Sequence, residues 1–381
     1  MLGKFAHTLA GAGYRVAVAG RASAGAAAPV GISLHPLLGG GRLSWGRLGA
    51  QYRYWRLLRA LQTALVVVHA PELLPLTLLW QRLGRDRQFV YDIRENYALN
   101  VSTQQVYRGG LKRLLAAGLR WVEELAARRA AALTLAEASY AAELPFLARL
   151  PADRVLVLEN KYQPAPGEVL PAAPRPLPAP DEPLRLLYSG TISALNGIAE
   201  ALALAEALHR ERPGGAVLTV VGFCQQPAVL ATLQALAAQK LPWLQLVGGN
   251  RAVPHAAIVA EIGRSHLGLA LYQPHPSTWR CRPTKLFEYL AHGLTVLIPP
   301  NPLWEALVQP PGAGLTLAPG ISPEAAAAKV LADLTARAAG AAPSFYPGGS
   351  VADARWAAEG KKLRLLMESL LPGPTFTPLS A

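Results

Sequence analysis

At 381 residues and 51% hydrophobic side chains, the chain is long enough to fold as two domains with ordinary cores. Its formal net charge of +13 comes from 37 Lys and Arg against 24 Asp and Glu, spread through an Ala- and Leu-rich background, so anionic partners are expected. Two cysteines, Cys224 and Cys281, are too few for a disulfide framework or a Cys-ligated zinc, and the eight histidines lack paired ligand spacing, which argues against a dedicated metal site and for a reducing cytoplasm.

Residues 4–13 read as a helix leading through Gly11 and Gly13 into a strand at 14–19. No strand precedes that helix, although the first strand of a doubly wound sheet is usually central, so a late-assigned start or a truncated chain is expected. Helices near 44–62, 71–83, 109–131 and 137–148 then alternate with strands near 65–69, 88–92, 132–135 and 154–158. The most apolar stretch, 61–80, is interrupted by His69, Pro71, Glu72 and Pro75, which argues against a membrane span, and no signal peptide is visible. Neither Gly11/Gly13 nor the glycines of 39–41 follow a strand and open a helix as a dinucleotide fingerprint requires, so a dehydrogenase is not expected.

A proline-dense segment, 164–183, reads as a stiff linker that closes a first domain at 1–163. Beyond it, strands at 184–189, 216–221, 244–247, 266–272, 294–298 and 314–317 are separated mostly by helix-length segments and make a second domain at 184–345. A tail at 346–381 carries a helix near 350–371, placed to brace the first domain. The fold class is therefore α/β, with two Rossmann-like, doubly wound parallel-sheet domains facing a cleft, and ligands at the carboxyl ends of the strands.

Residues 283–293 carry the sharpest signal. Pro283 suits the first helical position and Gly293 the residue past the end. Leu286, Phe287 and Leu290 face the core, leaving Lys285, Glu288 and His292 on a free stripe. A cation in the first turn opposes the helix dipole, and an anionic ligand such as a phosphate removes that conflict, with Glu288 accepting from sugar hydroxyls. A solvated Lys/Glu pair is the plainer alternative. Arg280, Arg282 and Thr284 flank the helix start. Ser189, Gly190 and Thr191, in a loop after strand 184–189, and Asn250 with Arg251 after strand 244–247, are further candidates at strand ends.

In the first half, His69 of His-Ala-Pro-Glu-Leu-Leu-Pro and Asp92 and Glu95 of Tyr-Asp-Ile-Arg-Glu-Asn-Tyr follow strands on the cleft side and are candidates for acceptor contacts or for structural pairing. Residues 107–129 form a basic amphipathic helix, and 52–59 interleave aromatics with arginines, so an anionic bilayer surface is a candidate partner beside an ordinary solvated face.

Together these segments resemble GT-B glycosyltransferases, most closely family 4 and its relatives, over almost the whole chain. Pro-Thr-Lys-Leu-Phe-Glu-Tyr-Leu-Ala-His-Gly at 283–293 looks like the family's donor-binding helix, Tyr-Ser-Gly-Thr at 188–191 like the loop opening the donor domain, and the first-half motifs like the patterns His-Asp-Pro-Glu-Leu-Leu and Tyr-Asp-Val-His-Glu. The resemblance implies sugar transfer from a nucleoside-diphosphate sugar to an acceptor hydroxyl, retaining and independent of metal or cofactor. Lys285 faces the diphosphate, Glu288 the donor hydroxyls, and His69 and Glu95 the acceptor. The basic surface suggests a saccharide or lipid-linked acceptor, and with it a role in surface polysaccharide or glycoconjugate synthesis and a place in the cytoplasm or on the cytoplasmic face of the plasma membrane, with no nucleic acid. The chain departs from the pattern at Arg280, where the family has the first of two glutamates, at Asn196, where a basic residue is frequent, and at Ala70 and Arg94. A nucleotide-sugar epimerase of the same fold and a catalytically degenerate binder are the alternatives.

Overall fold

The computed structural model describes residues 2–21, 29–38, 46–99, 110–173, 175–276, 278–340 and 349–371. The glycines of 39–41, the start of the helix expected at 107–129 and the boundary expected at 345 lie outside them. The chain divides into two compact units: Met1–Gln163 together with Trp356–Ala381, and Pro164–Arg355.

In the first unit, β1 (Val16–Arg21) pairs in parallel with β2 (Ile32–Leu38), while β3 (Leu65–Val68), β4 (Gln88–Ile93), β5 (Ala132–Leu135) and β6 (Val155–Val157) form a separate parallel sheet in that order. Sequence reasoning overlooks β2 because Pro36 lies inside it; as an edge strand it tolerates a residue without an N–H. Helix α1 (His7–Gly11) precedes β1, and α2 (Gly46–Leu61), α3 (Leu74–Arg82) and α4 (Gly110–Arg129) separate β2, β3, β4 and β5. The helix expected at 137–148 is broken into a single turn, Tyr140–Glu143, and a 3-10 stretch, Pro145–Arg149, since Pro145 cannot continue the ladder.

The second unit is one parallel sheet of order β12-β11-β10-β7-β8-β9. Its strands are β7 (Leu184–Ile192), β8 (Ala216–Cys224), β9 (Leu244–Gly249), β10 (Leu267–Leu269), β11 (Thr295–Ile298) and β12 (Gly314–Thr316). Leu184, Leu186, Leu187 and Tyr188 on β7 and Val296, Leu297 and Ile298 on β11 are all fully buried, as expected of strands covered on both faces. The cover is α5 (Ile198–Glu211), α6 (Pro227–Ala238), α7 (His255–Arg264), α8 (Thr284–Ala291), α9 (Pro302–Val308) and α10 (Pro323–Ala338). The linker, which has neither helix nor strand among its described residues, contributes Arg175. Its guanidinium donates to the carbonyls of Gly263 (2.9 Å) in the last turn of α7, Ser265 (2.6 Å) just past it and His292 (3.0 Å) just past α8, satisfying acceptors at two helix ends.

The chain then returns to the first unit. A 3-10 turn, Ala352–Ala354, precedes α11 (Ala357–Leu370), so the terminal helix starts later than 350. Trp356, Leu363 and Met367 join Phe5, Val90, Ala132 and Leu158 in one buried cluster. The Trp356 indole donates to Thr8 Oγ1 at 2.9 Å, and Lys161 Nζ lies 2.9 Å from the buried Glu359.

Candidate functional site

The carboxyl edge of the second sheet is shaped by glycines. Gly190, Gly222 and Gly248 stand side by side in register on β7, β8 and β9, with φ of +92°, +153° and +87°. A Cβ on Gly222 would sit 1.8 Å from the Gly190 carbonyl oxygen, and one on Gly248 2.6 Å from that of Gly222. The row leaves no room for a Cβ at Gly222 or Gly248, and Gly190, its first member, lines a cavity. Strand β7 runs on through Ile192, so Ser189, Gly190 and Thr191 belong to the strand rather than to a loop, because the glycine row lets the ladder continue.

The cavity, of about 200 Å³, is lined by Ser189, Gly190 and Thr191 of β7, Asn196 just after it, Ile258 from α7, Tyr272 after β10, and Thr284, Lys285 and Glu288 from α8. Pro283 is the N-cap of α8 rather than its first helical residue, its ψ of 135° being extended. Gly293, at φ +66°, follows the end of the helix as expected. The free stripe expected on α8 is not free. Lys285 and His292 are both buried, because an eight-residue helix is covered by chain on more than its core face. His292 turns away from the cavity, pairing Nε2 with Glu168 Oε1 (2.8 Å) and Nδ1 with the Glu288 carbonyl (2.8 Å).

Lys285 is the unusual group. Its Nζ is buried, has no hydrogen-bond partner among the described residues, and lies 4.5 Å from the Tyr188 ring centroid and 5.1 Å from that of Tyr272. Burial pulls its pKa from 10.5 down to about 7, against the opposing influence of Glu288. Two ring faces soften this cost without supplying an acceptor. Glu288 receives His255 Nε2 on Oε1 at 2.5 Å, while Oε2 accepts nothing from the described residues. Ser189 is spent structurally: its N–H and hydroxyl both meet the Tyr289 hydroxyl, at 3.1 and 2.8 Å. The Asn196 amide donates to the Thr191 carbonyl at 2.8 Å, holding the turn after β7.

Asn250, Arg251 and Arg280 are exposed and, with Arg282, lie outside the lining. The turn that carries Arg280 is anchored by Trp304, whose indole donates to the Cys281 carbonyl (2.7 Å), and by Asn301, which donates to that of Trp279 (2.8 Å). Ile258, Tyr272 and His255 escape sequence reasoning. Tyr272, at the end of an apolar run, carried a weak positional signal; His255 and Ile258, three apart on α7, carried none.

In the first unit a second cluster forms at the ends of β3, β4 and β5. The buried Asp92 carboxylate receives His69 Nδ1 (2.6 Å), Arg94 Nε (2.5 Å) and the Thr134 hydroxyl (2.6 Å). Burial raises the Asp92 pKa, but the His69 bond, the charges of His69 and Arg94, and the Thr134 bond outweigh it and the net shift is downward. Burial lowers that of His69, against the hydrogen bond and the charge of Asp92, which raise it. Phe5 meets the His69 ring edge-on at 5.7 Å and lies 5.3 Å from the Arg94 guanidinium. Glu95 is exposed, outside this cluster.

Among solved structures, the chain is similar to a sucrose-phosphate synthase from Thermosynechococcus elongatus, with TM-score 0.62 and 15% identity over 96% of this chain and 91% of that one. It is similar also to WaaG, a glycosyltransferase involved in lipopolysaccharide biosynthesis (TM-score 0.56, 16% identity, 97% and 92% covered), and to the apo structure of OtsA (TM-score 0.58, 12% identity, 98% and 96% covered). The fold is that of the GT-B glycosyltransferases. No protein-family model and no curated protein matches the sequence. Among the described residues, no helix is long and apolar enough to cross a membrane, and no three His, Cys, Asp or Glu side chains are grouped to hold a metal ion.

Proposed function

We propose that this chain transfers a sugar from a nucleoside-diphosphate sugar to an acceptor hydroxyl, as a relative of glycosyltransferase family 4. The observation that carries the reading is Lys285: a buried amine with no acceptor among the described residues, in a cavity at the carboxyl edge of a parallel sheet. A diphosphate supplies the missing acceptor, returns the lysine to its charged form and is stabilised as the leaving group. Glu288 Oε2 accepts from a donor hydroxyl. The N–H groups at Gly190 and Thr191, with Thr284 and the arginines Arg280 and Arg282, are the remaining donor-side groups. In the retaining, metal-independent reaction, the acceptor oxygen bonds to the anomeric carbon, the bond from that carbon to the phosphate oxygen breaks, and the acceptor proton passes to the leaving phosphate.

The acceptor, a saccharide or a lipid-linked one, belongs to the first unit, where His69 and the exposed Glu95 are candidates for its contacts. A lipid-linked acceptor at an anionic bilayer is favoured by α4, which exposes Leu114 (71%), Trp121 (65%) and Leu125 (36%) along one stripe beside the exposed Arg113, Arg128 and Arg129. On this reading the protein works at the cytoplasmic face of the membrane, in surface-glycan synthesis.

Calorimetry against UDP-, GDP- and ADP-sugars, followed by acceptor-dependent nucleotide release, tests the reading. Binding with acceptor-dependent release is expected. Binding without turnover makes the chain a degenerate binder, turnover that needs no acceptor makes it an epimerase, and absence of binding refutes all three.

A further inference from the structure

His255 opens α7 directly after its N-cap Pro254, a position where the helix dipole disfavours a cation. Its imidazole is reached by an acid from another helix: Nε2 lies 2.5 Å from Glu288 Oε1. Ile258, three residues along α7 and so on the same face, lines the cavity, as do Lys285 and Thr284 beside Glu288 on α8. The pair therefore joins the two helices at the cavity wall. A glutamate has three rotatable bonds, and one held at one oxygen presents the other in a fixed direction; a hydroxyl can then be accepted with less ordering cost at binding.

We propose that His255 is a positioning residue for hydroxyl recognition: its imidazolium engages one oxygen of Glu288 and leaves the other set for a ligand hydroxyl, so that nucleotide-sugar affinity follows the protonation of His255. The inference rests on the nucleotide-sugar reading of this cavity. The charged groups that act on the pair are Lys285 on α8, through Glu288, and Glu168 from the linker, through His255; Tyr272, after β10, lines the same cavity. The hydrogen bond to Glu288 raises the His255 pKa above 6.5, with burial opposing it and the charges of Glu288 and Glu168 reinforcing it. The clamp is therefore complete at low pH and is lost as pH rises through that raised value. Lys285 also loses its charge near pH 7 in the empty site, so the His255 contribution is the difference between variants that all keep Lys285.

The test measures affinity for UDP-, GDP- and ADP-glucose from pH 6 to 8.5 in wild type, His255→Gln and His255→Ala. Glutamine keeps a donor but does not titrate. Wild-type affinity is expected to weaken with pH more steeply than that of either variant, and His255→Ala to bind about tenfold more weakly than wild type at pH 6. His255→Gln should lie between them at pH 6 and approach wild type at pH 8.5. Thermal midpoints should agree, since the His255 side chain is 58% exposed. Parallel pH curves for wild type and His255→Gln, or wild-type binding by His255→Ala, overturn the inference alone. Failure of the wild type to bind any of the three overturns the sugar-transfer reading and this inference with it.

Discussion

Replacing Lys285 with methionine removes the ammonium while keeping an unbranched chain of similar length between the Tyr188 and Tyr272 rings. A pKa lowered from 10.5 to about 7 corresponds to about 5 kcal/mol of preference against the charged form. At pH 7 nearly all of that is a cost of folding, because the unfolded chain carries the ammonium in water. Relaxation and water entry reduce the figure, so Lys285→Met is expected to stabilise the empty protein by about 2–4 kcal/mol at pH 7. The folded pKa lies below the unfolded one, so between pH 7 and 10.5 the unfolded state binds a proton that the folded state does not. Wild-type stability therefore rises with pH across that window, and the advantage of methionine shrinks from pH 7 to pH 9.5 and stays constant below pH 6. Urea unfolding followed by tryptophan fluorescence at pH 6, 7 and 9.5 reads both effects. The same substitution should weaken nucleoside-diphosphate binding by about 1.5–3 kcal/mol, the range of a charge-assisted hydrogen bond. A variant less stable than wild type at pH 7, or an advantage equal at pH 7 and 9.5, would refute the picture of an ammonium held without an acceptor.

Gly222→Ala places a Cβ 1.8 Å from the Gly190 carbonyl, and a loss of about 3 kcal/mol or more is expected, with nucleotide binding abolished; unchanged unfolding and binding would show that the β7–β8 contact is slack. Asp92→Ala strips His69, Arg94 and Thr134 of their shared acceptor and should cost about 3–5 kcal/mol. Because the folded Asp92 pKa is depressed, its stabilisation is present above pH 3.8 and lost as pH falls through the folded value; Asp92→Asn should flatten that part of the acid-unfolding curve, and an unaltered curve would count against it. Trp121→Ser should lower sedimentation with phosphatidylglycerol vesicles roughly tenfold without changing the thermal midpoint, whereas equal sedimentation returns α4 to a solvated face.

The second sheet was legible because its strands are buried on both faces and read as near-continuous apolar runs, Leu184 to Tyr188 being one. Strand β2 was not, since Pro36 argues against a strand until its edge position is known. Lys285 and Glu288 could be named together because i,i+3 spacing on a helix is a local rule, and both line the cavity. Their states could not be read. The isolation of Lys285 depends on two tyrosines, one within β7 and one after β10, and Glu288 meets a histidine 33 positions away. The glycine row carries the same lesson. Gly190, Gly222 and Gly248 are each unremarked in the chain, and matter only once parallel register sets them abreast.

The return of α11 to the first unit affects how the protein is made. Pro164–Arg355 is contiguous and can fold as soon as it leaves the ribosome, whereas Phe5, Val90 and Leu158 wait for Trp356, Leu363 and Met367, the last part of that core to be synthesised. The N-terminal unit, first to emerge, is therefore the last to close. Until then the apolar side chains that meet α11 stay open to solvent, and a ribosome that stalls within α11 releases a chain with one finished unit and one open one.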